Sequence, residues 1–359
     1  MKKLLMAICL SMAVVMAVSP AFAINGDDFH ARGVAVGYAS GATAPPGLYF
    51  IDDSFFAPSW TAHGVADNPA LPGTNAREHN PNVKVFAYLN LPIMVWVPGC
   101  KFLGADYSMS FTEPFLYQNI RVKTGGTVQT SSAPQTNSPT WLSGETWASY
   151  NTVWSPLELS WKLPCNFFVK TGFAIGFDDA WNSDRNSIAS VNGISGGLRN
   201  SISKYDGNVY AWIGQADWMF VPTLGISWLY QGWNISAGMG YVFYTKDTAT
   251  NYQNADQFFG DYTISYTCGK WTLGLIGESS AQVGRDSFDA GDGTGYHKQN
   301  GTQAENYGMG PLIGYNFGPC SVQFWYEFEL ETRNQSGGDW FGFRIIVPLG
   351  NPCPLFGSK

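Results

Sequence analysis

The sequence predicts an all-β fold, a transmembrane antiparallel β-barrel of the outer-membrane type with about 12 strands. Three observations predict it. Apolar and polar residues alternate with period two in block after block. Those blocks are joined in turn by tight turns and by long loops rich in Gly, Ser, Thr and Asn, the asymmetry of a barrel with periplasmic turns and extracellular loops. The composition also suits neither a soluble domain nor a helical membrane protein. Charged residues make up only 13% beside 16% aromatics and 41 glycines, whereas a soluble domain carries roughly 25% charge. Mean hydropathy is −0.09, too low for a helix bundle in lipid.

The elements follow in order. Residues 1–23 read as a secretory signal peptide, with Lys2 and Lys3 as the charged start, residues 4–18 as the apolar stretch, and Ala21-Phe22-Ala23 as a small-x-small cleavage site. Cys9 sits inside the apolar stretch behind Met6-Ala7-Ile8, which is not the approach to a lipid-attachment cysteine. Residues 24–46 form an N-terminal periplasmic segment or possible plug, residues 47–349 the barrel, and residues 350–359 a C-terminal tail. Twelve strands are expected: 48–56, 83–91, 103–111, 157–163, 167–177, 218–230, 234–244, 257–267, 271–282, 306–317, 320–330 and 339–348. The tight turns are Pro98 to Lys101, Pro164 to Asn166, Gln231-Gly232, Cys268 to Lys270 and Gly318-Pro319. Residues 115–122 break parity at Arg121 and are expected in a loop.

Charge parity separates a membrane barrel from a soluble sandwich. Lys84, Asp106, Glu158, Lys162, Lys170, Asp178, Glu278, Glu327, Glu329 and Arg344 share one face of their strands, opposite a face of Val, Leu, Ile and large aromatics. In a sandwich the apolar face would be core. Strands of this length, with aromatics on the apolar face and Gly and Ser on the other, fit lipid outside and a polar lumen inside. The lumen-lining candidates are therefore Lys84, Phe86, Tyr88, Asp106, Glu158, Lys170, Tyr244, Trp325, Glu327, Glu329 and Arg344. Glu327, Glu329 and Arg344 fall on adjacent strands, either as a solute-selecting cluster or, the favoured reading, as a cross-strand ion pair. Trp161, Trp218, Trp228, Trp233, Trp271 and Tyr315 lie at strand ends as interfacial girdles.

Chemistry beyond passage is not indicated. His30, His63, His79 and His297 all fall in the N-terminal segment or in expected loops. No nucleophile-and-base arrangement and no HxH or HExxH spacing is present, so no catalytic residue, metal or cofactor is expected. The chain is acidic, with a formal charge of −7, which argues against nucleic acid as a partner. Outer-membrane lipid and the barrel assembly machinery are the expected partners, with a small hydrophobic solute as cargo. Cys100, Cys165, Cys268 and Cys320 fall at short turns and Cys353 in the tail. A Cys100–Cys165 and a Cys268–Cys320 disulfide are the hypothesis in an oxidising compartment. Neighbouring turns sit about 10 Å apart, however, and a bridge needs Cα atoms within about 7 Å.

Several stretches resemble one family. They are Ala44-Pro45-Pro46-Gly47-Leu48-Tyr49-Phe50, the run 218–230 leading into Gly232-Trp233-Asn234-Ile235-Ser236-Ala237-Gly238-Met239-Gly240-Tyr241, and Gly310-Pro311-Leu312-Ile313-Gly314-Tyr315. They are similar to the MetA-pathway phenol degradation (SphA-like) outer-membrane proteins. The resemblance covers most of the chain beyond the signal. It implies a bacterial outer-membrane barrel associated with transport of hydrophobic or aromatic compounds, and brings no catalytic residues. The turn cysteines and the tail after the last strand depart from the pattern. Taken together, the expected function is passive or gated passage of a small hydrophobic or aromatic compound. The rival expectation is a non-transporting surface barrel with adhesin-like loops, and a more distant one a lipid-modifying enzyme. Eight strands enclose only side chains and sixteen to eighteen leave an aqueous channel, so twelve predict a constricted lumen.

Overall fold

The structure, a computed structural model, describes residues 33–63, 83–124, 127–129, 134–136, 140–179, 181–182, 217–246, 252–285, 287–289, 296–298, 303–333 and 335–350. The expected signal peptide, residues 24–32 of the N-terminal segment, His30, His79, Cys353 and residues 351–359 of the tail lie outside the described residues.

Twelve antiparallel staves close into one barrel among the described residues. They are β1 (Gly47–His63), β2 (Val83–Val97), β3 in two pieces (Ala105–Thr112 and Phe115–Thr124), β4 in two pieces (Thr140–Ser149 and Val153–Lys162) and β5 (Phe167–Gly176). Then follow β6 (Met219–Tyr230), β7 (Trp233–Tyr244), β8 (Asp256–Cys268), β9 (Trp271–Val283), β10 (Glu305–Asn316), β11 (Ser321–Arg333) and β12 (Trp340–Gly350). Each stave pairs with the next, and β12 pairs with β1 from Tyr49↔Pro348 to Phe56↔Phe341, which removes both sheet edges. Two-residue turns with positive φ at Gln231 and Gly232 join β6 to β7, where the ladder runs down to Tyr230↔Trp233.

Residues 115–122 are strand, not loop. Phe115 to Val122 pair with β2, from Asn90↔Phe115 to Val83↔Val122, and with β4 on their other side. Arg121, where the alternation breaks, stands opposite Lys84 in a continuous register; ahead of this run Glu113-Pro114 interrupts the stave, since proline has no N–H for the ladder. The gap is bridged locally: Tyr150 N–H donates to the Pro114 carbonyl (2.8 Å) and Phe177 N–H to that of Thr152 (2.9 Å). The β6–β7 and β10–β11 ladders likewise lose pairings around Pro222 and Pro311 while keeping their register.

Alternation sorts the two faces of the wall. Leu224, Ile226, Ile264, Leu273, Leu275, Ile313 and Phe324 are exposed on the outside, where water would penalise them and hydrocarbon would not. Aromatic pairs edge this band at both ends. Near the short turns stand Trp228 with Tyr230, Trp233 with Tyr266, and Trp271 with Tyr315, at centroid distances of 5.7, 5.0 and 4.7 Å. At the other end stand Phe177 with Trp218 (5.2 Å) and Tyr326 with Phe341 (4.7 Å). Trp218 and Trp228 bracket β6; at ~3.3 Å per residue and a tilt of ~40°, the residues between them rise about 25 Å, the height of a barrel's apolar band.

Candidate functional site

The candidate site is the lumen, because the buried polar groups converge there. Register places Asp53 opposite Arg344 and Arg344 opposite Gln323. It places Asp261 opposite Glu278 and Ser227 opposite Ser236. Asp53, Asp261, Glu278, Glu305 and Glu327 are buried carboxylates, and Arg344 is the one buried cation among the described residues. The interior is therefore net acidic along β8 to β11.

Residues 33–46 run inside this ring. Gly41 N–H donates to Ser227 Oγ on β6 (2.7 Å) and the Gly41 carbonyl accepts from Ser160 Oγ on β4 (2.8 Å). Asn234 Nδ2 on β7 donates to the Tyr38 carbonyl (3.1 Å). Gly37 N–H donates to Thr263 Oγ1 and Ala35 N–H to Asp261 Oδ2, both on β8 and both at 2.8 Å. On the opposite wall Arg344 of β12 donates from Nη2 to the Val34 carbonyl (2.6 Å) and from Nη1 to the Val36 carbonyl (2.5 Å). The segment thus reaches from β4–β6 across to β11–β12, and its backbone polar groups meet inward side chains instead of water.

Local sequence makes this path available. Gly33 and Gly37 adopt φ of 71° and 80°, a region open to glycine. A side chain at Gly41 would strike the Phe168 carbonyl, and one at Gly225 the Ser40 carbonyl. Val36 completes an apolar cluster of inward residues with Phe55, Leu91, Leu312, Trp325 and Trp340.

Arg344 is the hub. Its Nε and Nη2 grip Asp53 in a bidentate pair (2.6 and 2.9 Å), and both side chains are fully buried. Its Nη1 also reaches Gln323 Oε1 (3.1 Å). The guanidinium carbon lies 3.7 Å from the ring centre of Tyr38 and 4.9 Å from that of Trp325. A buried pair of this kind is costly to dehydrate, so all five N–H groups need partners. The N-terminal segment supplies two of them.

The structure sorts the candidates named from sequence. Tyr244, Trp325, Glu327 and Arg344 are buried on the inward face. Glu158 and Lys170 face the lumen as a pair at 3.4 Å, and Glu329 follows Glu327 with the same parity. Asp106 lies at the short-turn rim beside Lys101 (2.8 Å), both half exposed. Lys84, Phe86 and Tyr88 do not line the lumen. Phe86 and Lys84 are exposed, Tyr88 packs on outward Phe56 (4.8 Å), and Val85, Ala87 and Leu91 face inward instead. The inside of β2 is apolar because it joins the Phe55–Trp325 cluster, so the polar face of that strand is its lipid side. The ion pair expected between Arg344 and Glu327 or Glu329 is also corrected, since the carboxylate that holds Arg344 is Asp53 across the β12–β1 seam. Cys100, Cys165, Cys268 and Cys320 are free, not bridged, as the spacing of adjacent turns requires.

Sequence reasoning missed Asp53, Asp261, Gln257 and Gln282, all inward and buried. The glycine spacing Gly33, Gly37, Gly41 was the available signal that the segment packs closely. No group of three or more His, Cys, Asp or Glu suited to a metal occurs among the described residues.

A family model described as MetA-pathway of phenol degradation matches residues 66–345. No curated protein matches the chain. Solved structures similar to it include the translocator domain of the autotransporter NalP from Neisseria meningitidis, at 10% identity over 85% of this chain and 90% of that one, TM-score 0.43. The CymD monoaromatic hydrocarbon channel is similar at 10% identity over 86% and 90%, TM-score 0.41. A Pseudomonas aeruginosa FadL homologue is similar at 11% identity over 92% and 100%, TM-score 0.38.

Proposed function

Because the chain belongs to the MetA-pathway of phenol degradation family, we propose that it is an outer-membrane channel for small hydrophobic or aromatic compounds, barred by its own N-terminal segment. The observation that carries the reading is the course of residues 33–46 across the lumen, tied to inward side chains of β4, β6, β7, β8 and β12. A surface barrel with no cargo has no need of a cross-bar held through such adaptable polar contacts, and a channel does. The apolar outer band and its aromatic edges support residence in a lipid bilayer, reached with the barrel assembly machinery after export. Residues 1–23 act as the cleaved export signal, so sequencing of the mature protein should begin at Ile24.

The lumenal carboxylates set the charge preference. Buried Asp53, Asp261, Glu278 and Glu327 outnumber Arg344, and a narrow pore lined by one sign repels solutes of that sign. Neutral phenols pass and aromatic carboxylates are turned back. The test is uptake by proteoliposomes, measured as the excess over protein-free vesicles. Phenol entering faster than 4-hydroxybenzoate supports the reading. No excess for any aromatic solute refutes it.

A further inference from the structure

Tyr38 carries a 4-alkylphenol into the middle of the lumen. Its ring lies 3.7 Å from the Arg344 guanidinium carbon, on the group that also lies 4.9 Å from Trp325. Phe55 meets Trp325 edge-on at 5.6 Å, and Val36, Leu91 and Leu312 belong to the same apolar cluster as Trp325. A guanidinium beside aromatic faces and away from water is a strong seat for a π-ring. The seat is imperfectly filled by its tethered occupant. The Tyr38 hydroxyl oxygen is buried and its proton finds no acceptor, which costs free energy that a free ring could recover by turning. The Trp325 indole N–H is also buried without a partner.

We propose that this place against Arg344 is a binding site for a neutral, hydroxylated single aromatic ring, occupied in the barred channel by the chain's own phenol. A solute ring and Tyr38 compete for it. When the solute wins, the Tyr38 ring leaves, the Val34 and Val36 carbonyls lose their neighbour's support, and the cross-bar loosens. Binding energy of the correct solute is thereby coupled to opening, since a ligand shifts an equilibrium only by its preference for one state. The inference rests on the channel reading and names the solute class and the residue it displaces.

Hydrogen–deuterium exchange of the wild-type protein tests it. Saturating 4-methylphenol, which copies the Tyr38 side chain, should speed exchange of the amides of residues 35–41 by about tenfold, a shift of about 1.4 kcal/mol. Amides of β7 should not change. At the same concentration 4-methylcyclohexanol, with the same shape and no π face, should leave residues 35–41 unchanged. In Tyr38→Leu these amides should exchange fast with or without 4-methylphenol. Equal effects of the two alcohols, or no effect of 4-methylphenol, overturn the proposal. Flux into proteoliposomes separates its failure from that of the channel reading. Phenol uptake without an exchange response refutes the site and leaves the channel, whereas an exchange response without uptake refutes the channel and leaves the site.

Discussion

Replacing Arg344 by Met should free the N-terminal segment while the barrel stays closed, provided Asp53 is changed to Asn at the same time. The second change matters because Arg344→Met alone would strand a fully buried carboxylate, and breaking a buried pair from one side costs about 3–5 kcal/mol. With both charges gone, the segment loses two charged hydrogen bonds, at the Val34 and Val36 carbonyls, and the seat of the Tyr38 ring on the guanidinium. Bonds to a charged group contribute about 1.5–3 kcal/mol each. The segment keeps its neutral anchors, Gly41 to Ser227 and Ser160, Gly37 to Thr263 and Asn234 to Tyr38, each about 0.5–1.5 kcal/mol, together with Ala35 N–H on Asp261. Roughly half of the docking energy is removed, so exchange of residues 34–37 should rise by about two to four orders of magnitude at about 1.4 kcal/mol per decade. The assay is exchange read by mass spectrometry, with heat-modified gel mobility confirming a folded barrel. A folded double variant whose segment exchanges as slowly as wild type would refute the reasoning.

Four further outcomes follow from the same geometry. Gly225→Val puts a side chain into the Ser40 carbonyl and should expel the segment, seen as faster proteolysis between residues 33 and 46 of a folded barrel. Gly342→Ala collides with the Trp325 ring in the packed cluster and should cost about 1–3 kcal/mol, measured by urea unfolding in detergent. Leu275→Arg on the exposed outer face should cost about 2–4 kcal/mol in lipid, whereas Lys84→Ala should change stability little. Alkylation without reductant should modify Cys100, Cys165, Cys268 and Cys320.

How much of this was legible in the sequence depends on the wall in question. Staves β6 to β9 were readable because Trp218 to Gln282 alternates cleanly between tight turns, and large outward aromatics left one sensible parity. The β2 face was misread because Val85, Ala87 and Leu91 are apolar for an inward reason, the cluster around Phe55 and Trp325. Hydrophobicity cannot tell lipid from a packed lumen, though the size of Phe86 and Tyr88 against Val85 and Ala87 carried a hint. Residues 115–122 were lost because Arg121 breaks the alternation in a stave already interrupted at Glu113-Pro114. Asp53 was invisible as a partner of Arg344, since the pair joins residues 291 apart and depends on barrel closure. The course of residues 33–46 depends on the same closure, which brings Ser227, Thr263 and Arg344 around one space.

In the proposed channel residues 33–46 bar a lumen that would otherwise conduct. Single-channel conductance in planar bilayers, wild type against a chain lacking residues 24–42, tests it most directly. Rare, small openings are expected of the wild type and a steady, severalfold larger conductance of the truncated barrel. Equal conductance from the two folded proteins would contradict it.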